Sequence, residues 1–535
     1  MADAQPGVAA LKIPRGRSRG EIDYLALSFR ELDAEVTMWC ARLARAGIRR
    51  GDRTLVMVRQ GLPLIASTFA MFRLGAIPVI IDPGMGLKSF LACVTRSQPR
   101  ALVGVPLARL VSRLFRAAFR SVVVRVAASS SLTARLSGDH AATPPGDAVP
   151  AKAEDLAAIL FTSGSTGAPK GVCYEHGMLE AQVRVVRETY GIAPGEIDLP
   201  LLPVFALFNP ALGMTTIVPE IDPRRPAAVD PAKIVQAIRQ ENVTNSFGSP
   251  TLWRKIGDHC RAQNITLPSL RRVLCAGAPV PAELWRNSHS FLVRGRLHSP
   301  YGATEALPVA TISSDEIEPA SMRGACVGRP VAEVEIKIIA ISDEPVSTLV
   351  EASPRPAGEM GEIIVRGPVV TKTYDGLPIA TRLAKIRQHD AGGDPGVWHR
   401  MGDCGYLDPA GRLWFCGRKA ERVETSAGTL HTEPCEQVFR QHPRAERCAL
   451  IGLGERGRQR AAIVVETRVK DSAEARTLTR ELRALARQHA PTADIKLFYF
   501  RENFPVDVRH NAKIHRLALA QWALTATGFE SDPKR

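Results

Sequence analysis

Short apolar, β-branched runs alternate with stretches of helical periodicity along the first half of the chain. Residues 53–58 (RTLVMV), 76–81 (AIPVII), 101–105 (ALVGV), 121–126 (SVVVRV), 156–161 (LAAILF) and 271–276 (RRVLCA) read as strands. Helices between them would cover both faces of a largely parallel sheet, so the pattern predicts an α/β fold. Residues 140–155 (HAATPPGDAVPAKAED) have no apolar period and read as a surface linker. A second break follows residues 411–419 (GRLWFCGRK). Beyond it a smaller unit combines helical segments (TEPCEQVFRQ, TLTRELRALARQ) with strand segments (CALIGL, AAIVVET). The longest uncharged stretch, residues 199–219, has the length of a bilayer span, but Pro200, Pro203, Pro210, Gly213 and Pro219 interrupt it, and it reads as loop and strand. The first residues offer no continuous apolar segment for a signal peptide, and a cytoplasmic location is expected.

The chain's 535 residues correspond to about three or four structural units, and its 45% hydrophobic content excludes a disordered polymer. Its ten cysteines stand singly with no C-x-x-C pair, which predicts plain buried thiols rather than a disulfide scaffold or zinc site. Basic residues exceed acidic ones by 70 − 54 = 16. Much of the excess is local: no Asp or Glu occurs between Pro83 and Gly138, where arginines are frequent. Within that region residues 107–120 (LARLVSRLFRAAFR) place Leu107, Leu110, Val111, Leu114 and Ala118 at helical spacing, with Arg109, Arg113, Arg116 and Arg120 on the other side. Two readings stay open: a surface helix packed by its apolar stripe, and a face for peripheral membrane contact or an acidic partner. Aromatics make up 6% of the chain and do not interleave with the basic residues, so no nucleic-acid partner is expected.

The most informative string is residues 156–172, LAAILFTSGSTGAPKGV. A strand empties into Thr162, Ser163, Gly164, Ser165, Thr166 and Gly167, with Lys170 behind. Glycines let the backbone approach an anion, hydroxyls and N–H groups donate to it, and the lysine adds a point charge, so the string reads as a phosphate cradle. A plain Ser/Gly-rich turn would account for the composition but not for the strand and lysine together. The spacing is not that of a Walker A loop, because Gly171 follows Lys170.

That loop resembles the signature of the AMP-forming adenylating superfamily of acyl-CoA synthetases, luciferases and peptide-synthetase adenylation domains. Further motifs of the superfamily follow in order: residues 275–279 (CAGAP), 301–305 (YGATE), 361–367 (GEIIVRG), 400–419 (RMGDCGYLDPAGRLWFCGRK) and 510–516 (HNAKIHR). The resemblance implies a large N-terminal adenylation domain of packed α/β sheets over 1–417, a hinge at 418–424, and a small mobile α+β domain over 425–535. It also implies ATP and Mg²⁺, used to activate a carboxylate with release of pyrophosphate. Thr304 would contact the α-phosphate and Glu305 would hold the metal. Tyr301 would pack on the adenine, with the backbone of Gly277, Ala278 and Pro279 along its other side, and Gly302 would belong to the same cofactor site. Asp403 would accept the ribose hydroxyls, supported by Arg418, and Lys513 would bridge carboxylate and α-phosphate.

Four positions depart from many acyl-CoA ligases of the superfamily. Ala206 stands where LPLFH has its histidine, Ala420 where the hinge GR-x-D has its aspartate, Met401 precedes Gly402-Asp403, and Ala512 precedes Lys513. Two of these fall on thiol transfer, which points away from a CoA step. A closer resemblance, over segments 51–88, 199–227, 245–253, 399–425 and 504–516, is to the β-lactone synthetases of bacterial long-chain olefin biosynthesis. It implies adenylation of a long-chain 2-alkyl-3-hydroxy fatty acid and closure to a β-lactone. It also implies a neighbouring reductase and an α/β-hydrolase-fold decarboxylase as partners. The alternative is a long-chain fatty acyl-CoA ligase or fatty acyl-AMP ligase. Phe205 and Phe208, in an apolar proline-rich segment, are candidates for the acyl-pocket wall, with a packed core loop as the competing reading.

Overall fold

The computed structural model describes the chain apart from residues 129–149, 163–167, 223–227, 318–322, 388–395, 507–513 and 531–535. Contacts divide it into two compact units. The first comprises Met1–Val309, Val331–Val334 and Arg366–Lys385, the second Ala310–Pro330, Glu335–Val365 and Ile386–Arg535.

In the first unit, strands Val124–Ala127, Ala101–Gly104, Arg53–Met57, Ile77–Ile81 and Leu156–Thr162 lie side by side in parallel, and Lys170–Glu175 closes the edge antiparallel. Leu55, Val79, Leu102, Val103 and Ile159 are fully buried, which is why these strands read as unbroken apolar runs. Helix Phe29–Arg45 opens with a capping box between Ser28 and Glu31 and shares one core with helix Leu62–Leu74. A second sheet of this unit sets strands Arg296–Ala303, Arg272–Cys275, Asn245–Gly248 and Ile197–Asp198 side by side, continued by Thr215–Ile217 and the hairpin Ala9–Ser18/Glu21–Ser28. The uncharged stretch folds as a short 3₁₀ segment, Pro203–Leu207, a one-turn helix, Asn209–Leu212, and the strand Thr215–Ile217. Among the described residues, no helix is long and apolar enough to cross a membrane. Of the expected linker, residues 140–149 lie outside the described part.

Helix Pro106–Leu114 presents the opposite face from a core-packed leucine stripe. Ala108 and Ser112 are buried, whereas Leu107, Leu110 and Leu114 are 66%, 52% and 68% exposed. The cause is close approach to the sheet: a Cβ on Gly104 would lie 2.9 Å from the Cβ of Ala108, so only small side chains fit between helix and strand.

In the second unit, strands Glu335–Ile339, Gly361–Arg366, Val397–Leu407, Leu413–Arg418 and Ala325–Pro330 lie side by side in that order. A further sheet of Cys448–Leu453, Arg460–Glu466, Leu497–Arg501 and Phe529–Glu530 carries a core on each face. Leu450 and Ile463 face Phe439, Leu478 and Leu482 of helices Thr432–Phe439 and Ser472–Ala486. Ala449 and Val464 face Leu519 of helix Arg516–Ala523. The alternation is that of strands covered on both sides. All ten cysteines are free, and only Cys173 and Cys326 are less than fully buried.

Candidate active site

In the first unit Thr304 and Glu305 form the tight turn between strand Arg296–Ala303, whose end carries Tyr301 and Gly302, and strand Ala306–Ser313. Gly302 is required there, because a Cβ would lie 2.6 Å from the Ala306 carbonyl oxygen. Three side chains hold the turn. The Tyr174 hydroxyl donates to the Thr304 carbonyl. Thr371 donates its backbone N–H (2.8 Å) and its hydroxyl (3.1 Å) to the Glu305 carbonyl. The Tyr374 hydroxyl donates to Glu305 Oε1 at 2.7 Å. The second carboxylate oxygen of Glu305 makes no hydrogen bond among the described residues. One oxygen held and one open is a donor arrangement that suits a hard divalent cation, so Glu305 fits a magnesium ion.

Tyr374 lies between two lysines. Lys170 Nζ is 4.8 Å and Lys385 Nζ 6.0 Å from its ring centroid. Lys170 reaches this position because its strand pairs antiparallel with the strand that enters the glycine-rich loop, Thr162 facing Lys170 and Phe161 facing Gly171. Lys385 is buried and donates to the Thr371 carbonyl and, at 3.4 Å, to its hydroxyl. Burial pushes its ammonium down to about 7, with Glu305 opposing that shift. The segment carrying Thr371, Tyr374 and Lys385 is fastened by Asp375, whose N–H donates to the Gly171 carbonyl (2.7 Å) and whose carboxylate pairs with Arg53 (2.8 Å). Thr371, Tyr374 and Lys385 escape a sequence reading. Their one signal is that they follow directly on the motif at residues 361–367.

Gly277, Ala278 and Pro279 follow strand Arg272–Cys275, and Tyr301 belongs to the strand beside it, paired in parallel with Leu274 opposite His298. Both therefore leave the sheet at the carboxyl end of parallel strands, where open α/β sheets bind ligands. Gly277 takes φ +98°, which a side chain would strain. Phe205 belongs to this end too: its ring stacks on Phe247 of the next strand, centroids 3.6 Å apart, with Phe208 6.3 Å further along. Both phenylalanines are half-buried against a core of Leu202, Leu212, Met214 and Leu274. Ala206 points elsewhere and is buried in the core of the two long helices.

In the second unit Asp403 is buried and pairs with Arg418 at 2.7 Å, the two facing each other across adjacent antiparallel strands. Glu362, from the motif at 361–367, is completely buried and binds Arg400 (2.7 Å) and Lys419 (2.9 Å). Arg422 pairs with Asp343 and Glu424, each at 2.7 Å. Gly417 has no alternative, since a Cβ would come within 2.2 Å of the Thr432 hydroxyl.

Ser163, Gly164, Ser165, Thr166 and Gly167, like Lys513, lie outside the described residues. Arg516, which opens helix Arg516–Ala523, grips Glu436 through two bonds of 2.7 Å and reaches Glu421 at 3.0 Å. Burial disfavours the guanidinium charge, but Glu436 and Glu421 outweigh it and hold Arg516 above its ordinary value.

A profile of the family described as AMP-binding enzyme matches residues 2–375. The chain belongs to the AMP-binding enzyme family. Over 98% of its length this AMP-binding enzyme is 43% identical to an olefin beta-lactone synthetase of Stenotrophomonas maltophilia (strain K279a) and 44% identical to one of Xanthomonas campestris pv. campestris, covering 96% of each. Its fold is similar to that of the amide bond synthetase McbA from Marinactinospora thermotolerans, with a TM-score of 0.78 at 23% identity over 97% of both chains.

Proposed function

We propose that this AMP-binding enzyme is an ATP-dependent, AMP-forming β-lactone synthetase. It adenylates a long-chain 2-alkyl-3-hydroxy acid and closes it to a β-lactone, releasing AMP and pyrophosphate. The observation that carries the reading is near-full-length similarity, at 43% and 44% identity, to two proteins named for that activity. The burial of Ala206 in the core, where many acyl-CoA ligases have a histidine, agrees with it.

In the first step a substrate carboxylate oxygen attacks the α-phosphorus of ATP, the bond to the bridging oxygen breaks, and pyrophosphate leaves. Glu305, oriented by Tyr374, would hold a magnesium ion, which neutralises phosphate charge when bound. Lys170 and the hydroxyls of Thr162, Ser163, Ser165 and Thr166 would cradle the phosphates. Asp403, fixed by Arg418, would accept the ribose hydroxyls. Lys513, on a small domain moving about a hinge at 418–424, would offset the charge that develops between carboxylate and phosphate. In the second step the β-hydroxyl oxygen of the same molecule attacks the activated carbonyl carbon. The carbon–oxygen bond to AMP breaks, and the hydroxyl proton passes to the departing phosphate or to solvent. Tethering makes this attack intramolecular, and the mixed anhydride drives formation of the strained ring. Phe205 and Phe208 would line the acyl chain. A reductase supplying the hydroxy acid and a decarboxylase consuming the lactone are the reaction classes on either side.

Purified protein incubated with ATP, Mg²⁺ and a synthetic 2-alkyl-3-hydroxy acid, without CoA, should give the ring signal of a β-lactone by NMR, with AMP in equal amount. An acyl-adenylate that turns over only once CoA is added would overturn the proposal in favour of an acyl-CoA ligase.

A further inference from the structure

Every exposed side chain from Pro106 to Arg120 is either apolar or an arginine: Leu107, Leu110, Leu114 and Phe115 among the former, Arg113, Arg116 and Arg120 the latter. Leu107, Leu110 and Leu114 are spaced at i, i+3 and i+7 and so share one face of helix Pro106–Leu114. None of these side chains serves the core, which is reached by Ala108 and Ser112. An apolar surface left uncovered in this way marks a contact with something outside the chain.

The charge around it says what that contact is. Arg113, Arg116 and Arg120 form no ion pair among the described residues, and no acidic residue occurs between Pro83 and Gly138. Arg109, by contrast, is turned inward with its Nε buried, so it does not belong to the surface. We propose that this face docks the protein on an anionic phospholipid bilayer. The leucines and Phe115 enter the boundary between headgroups and acyl chains, and the three arginines meet lipid phosphates. A helix with this division of residues, far shorter than the ~20 residues a span needs, lies in the plane of the interface. The absence of uncharged polar side chains on the exposed surface fits lipid better than a protein partner, whose rim would require hydrogen bonds. The inference goes beyond the reaction and does not depend on which acceptor the acyl-adenylate meets.

The test is flotation with vesicles of equal phosphatidylcholine and phosphatidylglycerol against pure phosphatidylcholine, at low and high salt. The full chain should partition at least about tenfold more strongly onto the anionic vesicles, and salt should weaken it. Leu110→Glu/Leu114→Glu and Arg113→Glu/Arg116→Glu should each lower the partition about tenfold or more, with thermal melting and ATP–pyrophosphate exchange unchanged. If the leucine pair variant fails to fold, Leu110→Ser/Leu114→Ser replaces it. An environment-sensitive fluorophore on Leu114→Cys should shift to the blue on anionic vesicles only. Equal flotation on both vesicle types, or variants that float like the parent, would overturn the proposal. So would self-association that the same substitutions abolish in the absence of vesicle binding, which would assign the face to a second copy of the chain.

Discussion

Replacing Lys385 by methionine tests whether the segment behind Glu305 carries an ionisable group out of its ordinary range. The lysine is buried, and its pKa falls from 10.5 to about 7. At about 1.4 kcal/mol per unit, the folded chain penalises the ammonium by about 5 kcal/mol relative to the unfolded chain. The sign follows from proton binding. Between pH 7 and 10.5 the unfolded state holds the proton and the folded state has shed it, so wild-type stability rises with pH across that window and is flat below it. At pH 7 the lysine therefore costs about 4 kcal/mol compared with a neutral side chain, and at pH 10 under about 1 kcal/mol. Methionine keeps an unbranched stem of similar length but gives up the hydrogen bonds to Thr371, worth about 1 kcal/mol. Lys385→Met should thus raise the melting temperature of the first unit at pH 7, and the advantage should shrink by about 3 kcal/mol by pH 10. Scanning calorimetry of both proteins from pH 6.5 to 10 reads this directly. A difference that stays constant with pH, or grows, would refute the argument, because the lysine would then titrate as it does in water.

Tyr374→Phe removes the hydroxyl that holds Glu305 Oε1, a bond to a charged acceptor worth about 1.5–3 kcal/mol. ATP–pyrophosphate exchange should fall about tenfold or more, with a raised magnesium requirement and an unchanged circular dichroism spectrum. Arg516→Met removes the charge-assisted bonds to Glu436, which keeps Arg440 at 2.9 Å, and to Glu421, and should destabilise the second unit by about 1.5–3 kcal/mol in urea titration. Ala206→His should destabilise the first unit by about 1–3 kcal/mol, since the site is closed core, and should confer no CoA-dependent turnover in a thioester assay.

Much of the architecture was legible in sequence because it rests on short-range rules. The strands at Arg53–Met57, Ile77–Ile81, Ala101–Gly104, Leu156–Thr162 and Arg272–Cys275 fall where continuous β-branched runs predict them. The run at 121–126 begins its strand only at Val124, a boundary set by the turn before it. Ordered motifs were enough for the family, because glycines and charged residues at fixed spacing are rare combinations. Asp403 facing Arg418 follows from strand pairing and the motif that carries both.

Tertiary structure alone decided the rest. Thr371 and Tyr374 stand 66 and 69 residues beyond Glu305, Lys385 further still, and only the folded chain brings them to it. The direction of helix Pro106–Leu114 was likewise undetermined by its periodicity. A helical pattern divides residues into faces, but it does not say which face meets the core. Gly104 opposite Ala108 decides that here, because close packing against the strand admits only small side chains and turns the leucines outward. Periodicity is a property of the local chain, whereas burial depends on what the rest of the fold brings against it.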